Sequence, residues 1–194
     1  MDIRYATANN FVHTAVYEQP RAVLQRPAAE ALVRVAKRLE AECGYGLLIY
    51  DGYRPWAVTK MFWDLTPPEQ RDFVADPDTG SKHNRGCAVD LSLYRLASAA
   101  NGGGSFEAVE MPCDFDDMTH KAHSEYAGEL GLQPGTAEYE EQQARLSMRD
   151  LLRDHMERDG DFAVQYNEWW HFNYKDWEQY PVSNTQFEDI LAVP

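Results

Sequence analysis

Two histidines and two acidic residues have the side chains that a catalytic metal site requires. His83, Asp90 and His171 offer two imidazoles and one carboxylate, and Glu168 lies three residues before the last of them. Hydrolytic zinc sites hold the ion with three protein ligands and leave the fourth position open for water or substrate, whereas structural sites close all four. These residue types therefore predict a zinc ion that activates a water, with a glutamate beside it as the base.

The surroundings of His83 distinguish it from most of the other histidines. A histidine taken alone is more often a surface group or a hydrogen-bonded core residue than a metal ligand. His83 and Asp90, however, flank a turn at Gly86, so a loop residue and an inward-facing strand residue can converge on one ion. Four histidines lack such a setting, and we predict that they lie at the surface: His13, His120, His123 and His155.

Several of these residues also have a purely structural interpretation. Asp90 could be a carboxylate that backbone donors or an arginine satisfy, and Glu168 could be an exposed strand residue. For the adjacent Trp169 and Trp170 we expect core area and pocket walls, because large aromatic rings usually supply both. None of the three cysteines lies in a C-x-x-C pair, which argues against a zinc finger with thiolate ligands.

Composition predicts one folded domain and excludes some partners. With 194 residues, 44% of them hydrophobic, the chain is long enough for one sizeable core, so we expect a single domain over residues 1–194. The formal charge of −14 repels phosphate backbones and anionic membrane surfaces, which argues against nucleic acid and membrane partners. Without an apolar run of about 18 residues or a signal-peptide pattern at the start, we expect a cytoplasmic protein. The sequence leaves the oligomeric state open.

Hydrophobic periodicity predicts the elements of the first half of the chain. Residues 27–43 carry an amphipathic helical stripe (Leu32, Val35, Ala36, Leu39 and Cys43) that Gly44 should end. Residues 46–50 read as a buried strand, followed by a turn and by a second helix that begins at Pro55 and ends near residues 67–68. Residues 67–86 predict a long functional loop, and residues 87–94 alternate so that Asp90 points away from the apolar face.

The second half predicts a flexible turn at residues 101–105, a strand near residues 106–111 and a long helix at residues 136–159. Thr136 should cap this helix, Leu151, Leu152 and Met156 should face the core, and Gly160 should end it. The aromatic segment 162–174 reads as a strand or hairpin that carries Glu168 and His171. Residues three apart in a regular strand point to opposite faces, so we expect an irregularity between these two.

Two motifs resemble the signatures of the VanX-type D-alanyl-D-alanine dipeptidases. Residues 81–90 are similar to their S-x-H-x-x-G-x-A-x-D signature, and residues 168–171 to their E-x-W-H signature. Residues 44–55 resemble the arginine-bearing segment of the family, and residues 5–11 its N-terminal element. The sequence departs from the family pattern at Pro112, where glycine is usual, and over residues 12–15, both near the pocket expected to set specificity. The resemblance covers nearly the whole chain.

The resemblance implies a fold and a catalytic apparatus. The fold would be α+β, with a central antiparallel sheet, flanking helices and a zinc site in a cleft on the sheet. One Zn²⁺ would be bound by His83, Asp90 and His171, with Glu168 as the catalytic base and Arg54 as the stabiliser of the transition state. Arginine suits that role because its charged fork of donors matches a developing oxyanion.

The resemblance also implies how a small substrate would be recognised. Tyr5 and Asp116 match the positions that hold the free ammonium group of a dipeptide. Ser81 and Asp51 are candidate further contacts, Ser81 by holding a substrate oxygen and Asp51 by holding a neighbouring group. The implied function is hydrolysis of D-alanyl-D-alanine to free amino acids. The alternatives are a D,D-carboxypeptidase of the same fold that acts on longer peptides, and a non-catalytic zinc-binding module.

Overall fold

The computed structural model describes residues 1–97 and 105–190, which form an antiparallel sheet with flanking helices. The α-helices of the described residues are α1 (Arg26–Cys43), α2 (Trp56–Leu65) and α3 (Ala137–Gly160). The strands are β1 (Tyr45–Asp51), β2 (Ala88–Ala97), β3 (Ser105–Ala108), β4 (Phe162–Gln165) and β5 (Glu168–Tyr174). The sheet order is β1-β2-β5-β4, and β3 pairs with the end of β2. The predicted α+β class is confirmed, and most of the predicted turn at residues 101–105 lies outside the described residues.

Helices α1 and α2 begin and end close to the predicted residues. A proline stands in the first turn of α1, and Gly44 ends this helix in the left-handed conformation (φ 73°). The buried side of α1 consists of Ala28, Ala31, Val35 and Leu39, so the stripe is rotated relative to the predicted one and Cys43 is exposed. None of the described helices combines the length and the apolar composition needed to cross a bilayer.

Helix α3 differs from its prediction at its C-terminal end. Thr136 caps its first turn by accepting a hydrogen bond from Tyr139 N, as expected. Gly160 is the last helical residue rather than the stop, and Asp161 takes the left-handed conformation (φ 58°). Gly160 is needed for close packing instead, because a Cβ there would lie 2.6 Å from a methyl group of Val35. Leu151, predicted to be buried, is only half-buried.

The prediction that His155 lies at the surface was wrong. Its side chain is buried between α1 and α3, where Nδ1 lies 3.0 Å from Asp159 Oδ2 and Nε2 lies 3.6 Å from Cys43 Sγ. His155 lies three residues after Leu152 and next to Met156, so it shares the buried face of α3. A polar side chain can occupy such a face once a hydrogen bond satisfies its ring nitrogen.

The pairing register brings three functional side chains into one row across the sheet. Asp51 of β1 lies opposite Asp90 of β2, and Asp90 in turn lies opposite His171 of β5. Asp90 faces away from Val89, which borders a groove beneath α1, as the predicted alternation requires. The site therefore lies on the sheet face opposite α1.

The hairpin of β4 and β5 contains the predicted irregularity. Val164 pairs with Phe172, but the next residue, Gln165, pairs with Glu168. Residues 169–171 are therefore extra residues of β5, which form a bulge that breaks the two-residue alternation of side chains. Because of this bulge, Glu168 and His171 can approach the same point.

Candidate metal centre and active site

The three predicted metal ligands converge within hydrogen-bonding distance of one another. His83 Nε2 lies 3.1 Å from His171 Nδ1 and 3.3 Å from Asp90 Oδ1, and His171 Nδ1 lies 3.0 Å from the same Asp90 oxygen. Zinc bonds of about 2.0–2.2 Å in a tetrahedral arrangement would separate the ligand atoms by roughly 3.3–3.6 Å. The observed triangle is within a few tenths of an ångström of that spacing, so these three residues could hold a metal ion and their spacing fits zinc.

The outer nitrogen of each imidazole already has an acceptor. His83 Nδ1 donates to the carbonyl oxygen of Gly52 at 2.6 Å, and His171 Nε2 lies 2.9 Å from Asn173 Oδ1. The inner nitrogens then turn their lone pairs towards Asp90 Oδ1, a buried oxygen with no hydrogen-bond partner among the described residues. Three converging lone pairs require a cation between them, which a metal ion or a proton can supply.

The carboxyl groups of Asp90 and Glu168 have opposite pKa shifts. Burial by itself raises the pKa of Asp90, but the adjacent His83 and His171 hold it well below its usual range. Glu168 Oε2 lies 3.5 Å from His171 Nδ1, and burial, reinforced by the charge of Asp90, raises its pKa to about 7. The candidate carboxylate ligand, Asp90, thus lies near Glu168, whose pKa is close to neutral pH.

Arg54 is held rigidly at the edge of this centre. Its Nε and Nη2 donate to Asp51 Oδ2 at 3.0 and 2.8 Å, and Nη2 lies 3.6 Å from Asp90 Oδ2. Its guanidinium carbon lies 5.1 Å from the ring centre of Tyr5 and 4.8 Å from that of Phe62. Among the described residues its Nη1 makes no hydrogen bond, so this nitrogen is available to a ligand.

Asp51 lies beneath Arg54, away from the cavity. It is fully buried and also accepts hydrogen bonds from the Tyr17 hydroxyl at 3.1 Å and from Gly52 N at 2.8 Å. Two carboxylates directly opposite each other on adjacent strands repel, and the guanidinium of Arg54 between Asp51 and Asp90 offsets that repulsion. The position of Asp51 does not support a direct substrate contact; it supports the expected role of holding a neighbouring group.

Tyr5 and Asp116 form the second polar cluster of the cavity. The Tyr5 hydroxyl donates to Asp116 Oδ1 at 3.1 Å, and Phe11 N donates to Asp116 Oδ2 at 3.2 Å. Burial, followed by the charge of Asp90, raises the pKa of Asp116 to about 7. Both of these donors are neutral, so a cationic group that enters the cavity can neutralise the carboxylate of Asp116.

One cavity of about 250 Å³ collects almost all of the predicted site residues. Those in its wall are Tyr5, Arg54, Ser81, His83, Asp90, Asp116, Glu168 and His171. Ser81 is buried and its Oγ accepts a hydrogen bond from His83 N at 3.1 Å, so it orders the turn that carries His83. Both tryptophans are buried, and Trp170 lines the wall whereas Trp169 does not. Residues 72–76 border the cavity from the loop side.

Sequence reasoning missed the buried Asn84, which ties the site together. Its side chain donates to the Arg54 carbonyl at 2.9 Å and to Thr59 Oγ1 at 2.8 Å, and it accepts from Ser81 N at 2.8 Å. One amide thus connects the His83 turn with the start of α2. Its position next to His83 was the only available signal, and residue type alone does not reveal such a role.

The fold and the cluster of possible metal ligands indicate a metal-dependent hydrolase. Residues 1–190 match the sequence profile of the peptidase M15 family, described as D-ala-D-ala dipeptidase, and the chain belongs to this metallopeptidase family. It is 30% identical over 192 residues to the D-alanyl-D-alanine dipeptidase of Escherichia coli, covering 99% of this chain and 87% of that protein. It is 34% identical over 204 residues to the D-alanyl-D-alanine dipeptidase of Enterococcus faecium, covering 96% of this chain and 90% of that protein.

Proposed function

We propose that this protein is a zinc-dependent dipeptidase, acting as one domain, that hydrolyses D-alanyl-D-alanine to two molecules of D-alanine. The observation that carries the proposal is that the partnerless Asp90 oxygen, two imidazole lone pairs and the half-buried Glu168 meet in one small cavity. The names of the similar proteins supply the substrate. The cytoplasmic location and the absence of nucleic acid partners stay predictions from the sequence.

The proposed catalytic step uses Glu168 as a base and then as an acid. A zinc ion held by His83, Asp90 and His171 would polarise the scissile carbonyl and bring the pKa of a water to about 7. Glu168, whose pKa is raised to about 7, takes a proton from the attacking water and returns it to the departing amine. The distance of 3.5 Å between Glu168 Oε2 and His171 Nδ1 supports this role.

Arg54 stabilises the negative charge that develops on the scissile oxygen. Asp51 fixes two of its nitrogens, so the remaining Nη1 can donate without first losing conformational freedom. The phenol of Tyr17 and the backbone of Gly52 hold Asp51 in turn. Together these buried contacts orient the arginine before the substrate enters.

Tyr5 and Asp116 select a substrate with a free amino terminus. An ammonium group beside Asp116 forms a partly buried ion pair with it, whereas an acylated nitrogen leaves that carboxylate without a cation. The cavity of about 250 Å³ is also smaller than the roughly 300–1,000 Å³ typical of drug-sized ligands. Both features favour a dipeptide over the longer peptides that a D,D-carboxypeptidase would trim.

A substrate panel tests this proposal. L,L, L,D, D,L and D,D dipeptides of alanine, N-acetylated D-alanyl-D-alanine and a pentapeptide ending in D-alanyl-D-alanine are assayed with zinc-loaded and chelator-treated protein. We expect hydrolysis of the free D,D dipeptide alone, lost with the chelator and restored by zinc. Preference for the blocked or longer peptide would establish the carboxypeptidase instead, and zinc binding without hydrolysis of any peptide would indicate a non-catalytic module.

A further inference from the structure

A chain of side-chain amides leads from the metal-binding histidine of β5 to the loop that borders the cavity. Asn173 Nδ2 donates to Gln165 Oε1 at 3.2 Å, and Gln165 Nε2 donates to Asn167 Oδ1 at 3.3 Å. Asn167 Nδ2 in turn donates to the backbone carbonyl of Asp72 at 2.5 Å. The other end of the chain is the 2.9 Å contact between Asn173 Oδ1 and His171 Nε2.

The end of this chain at Asp72 determines its direction. A backbone carbonyl can only accept a hydrogen bond, so Asn167 must present its NH₂ group to Asp72 and its oxygen to Gln165. The same reasoning then orients Gln165 and Asn173, which leaves the Asn173 oxygen facing His171. An oxygen at that position accepts the proton of Nε2, and the neutral ring then has its lone pair on Nδ1.

We propose that Asn173, Gln165 and Asn167 are positioning residues, whose amides transmit one hydrogen-bond direction from the Asp72 carbonyl to His171 and so keep Nδ1 free for the metal. If Asn173 were reversed, its NH₂ group would face Nε2, and the proton of the neutral ring would move to Nδ1, where it blocks the metal. The inference rests on the proposed role of His171 as a metal ligand.

The chain also links the metal centre to the rim of the cavity. Asp72 belongs to the segment 72–76 that borders the cavity, and the buried Asn167 lies in the turn between β4 and β5. Both Ser124 N and Ser124 Oγ donate to the carbonyl of Tyr166, at 2.9 and 3.1 Å, which fixes this turn independently of the amides. Removing one amide should therefore interrupt the chain of amide hydrogen bonds and leave the turn in place.

Zinc affinity of matched variants, measured by competition with a chromophoric chelator, tests the proposal. Asn173→Leu removes the acceptor and should weaken zinc binding about 10- to 100-fold, the usual effect of losing the partner of a ligating histidine. Asn173→Asp keeps an acceptor and should retain the affinity. Asn167→Ala, which lies two amides away from His171, should give a smaller loss of the same sign. Tyr166→Ala is the control, because this exposed side chain lies in the same turn outside the chain.

A second measurement does not depend on bound metal. In the metal-free protein the imidazole Nε2–H proton of His171 should be visible by NMR and protected from exchange, and Asn173→Leu should remove that protection. Equal losses of zinc affinity for Asn173→Asp and Asn173→Leu would overturn the proposal, as would an Asn167→Ala variant that matches the Tyr166→Ala control. Wild-type protein that bound no zinc but kept the protected proton would refute the proposed function and leave the amide chain supported.

Discussion

If Glu168 is the catalytic base as proposed, its replacement should separate metal binding from catalysis. It contacts His171 without belonging to the triangle of metal ligands. Glu168→Gln keeps the size of the side chain and removes the base, so we expect kcat to fall about 10²- to 10⁴-fold while the zinc content stays near one ion per chain. Steady-state kinetics and elemental analysis of the same preparation check both expectations.

The matched control for this variant is Glu157→Gln, on an exposed position of α3. It makes the same chemical change far from the cavity and should leave kcat unchanged. A Glu168→Gln enzyme that bound zinc and still hydrolysed the dipeptide at the wild-type rate would remove Glu168 from the mechanism.

Asp116 should make substrate binding depend on pH. Its pKa is raised to about 7, mainly by burial and then by the charge of Asp90, so the carboxyl group is ionised above pH 7 and neutral below it. Only the ionised form attracts the ammonium group of a dipeptide, whose own pKa is about 8, so binding should be strongest between about pH 7 and 8 and should weaken as the pH falls through 7. Calorimetric titration of the Glu168→Gln protein with D-alanyl-D-alanine measures this without interference from turnover or from the titration of Glu168.

The matched variant for the pH experiment is Asp116→Asn, which cannot ionise. We expect it to bind the dipeptide weakly at every pH and to lose the step near pH 7. If its affinity kept the wild-type pH dependence, a group other than Asp116 would recognise the ammonium.

At the scale of single residues, the sequence predicted chemistry better than contacts. The residue types of His83, Asp90 and His171 predicted a metal site, because imidazole nitrogens and carboxylate oxygens are common zinc ligands. The contact between Asp51 and Arg54 could not be derived from the sequence, because it depends on the pairing register of β1 with β2. Asn173 was missed altogether, since an asparagine near a histidine carries no signal until its partners are known.

At the scale of elements, the turn at Gly86 determines whether His83 and Asp90 can meet. Gly86 takes the left-handed conformation (φ 66°), and a Cβ there would lie 3.2 Å from the backbone nitrogen of Gln25. Gln25 N itself donates to the Gly86 carbonyl at 2.8 Å, so this close approach is part of the structure. A side chain at position 86 therefore strains the turn and displaces its neighbour.

Gly86→Ala and Gly44→Ala form a matched pair that isolates this close approach. Gly44 has a similar backbone angle (φ 73°), but a Cβ there meets nothing within 4 Å. Each substitution should lower the free energy of unfolding by about 1–2 kcal/mol for the left-handed backbone alone. Gly86→Ala should lower it further and also weaken zinc binding, whereas Gly44→Ala should leave zinc affinity unchanged. Chemical denaturation and chelator competition measure the two quantities, and equal zinc affinities would show that the turn tolerates the side chain.

Element boundaries followed from the sequence wherever a local signal determined them. Gly44, Thr136 and the prolines beyond α2 all mark helix ends that the structure confirms. The end of α3 was misplaced by one residue because Gly160 serves a packing contact rather than a turn. The bulge in β5 was predicted from what a metal site needs, and its length depends on pairing with β4, which sequence periodicity does not encode.

At the scale of the whole molecule, the row of Asp51, Asp90 and His171 would couple a bound metal ion to the stability of the sheet. The row joins β1, β2 and β5, and it buries two carboxylates within a chain of formal charge −14. Arg54 neutralises one of these carboxylates, and a cation among the three ligands neutralises the other. A metal ion bound there therefore stabilises the folded state over the unfolded chain, in which the three ligands are far apart.

Removing the metal should lower the melting temperature by a predictable amount. Zinc at 100 times its dissociation constant stabilises the fold by about 2.7 kcal/mol, and a chain of this size shifts by roughly 2–4 °C per kcal/mol, so chelation should lower Tm by about 5–11 °C. Any divalent cation also screens the overall negative charge, which the Asp90→Asn variant controls for because it keeps nearly all of that charge and loses a ligand. Scanning calorimetry of both proteins with zinc and with chelator separates the two effects. Equal shifts in the two proteins would mean that zinc acts by screening, whereas a shift confined to the wild type places the stabilisation at the row of ligands.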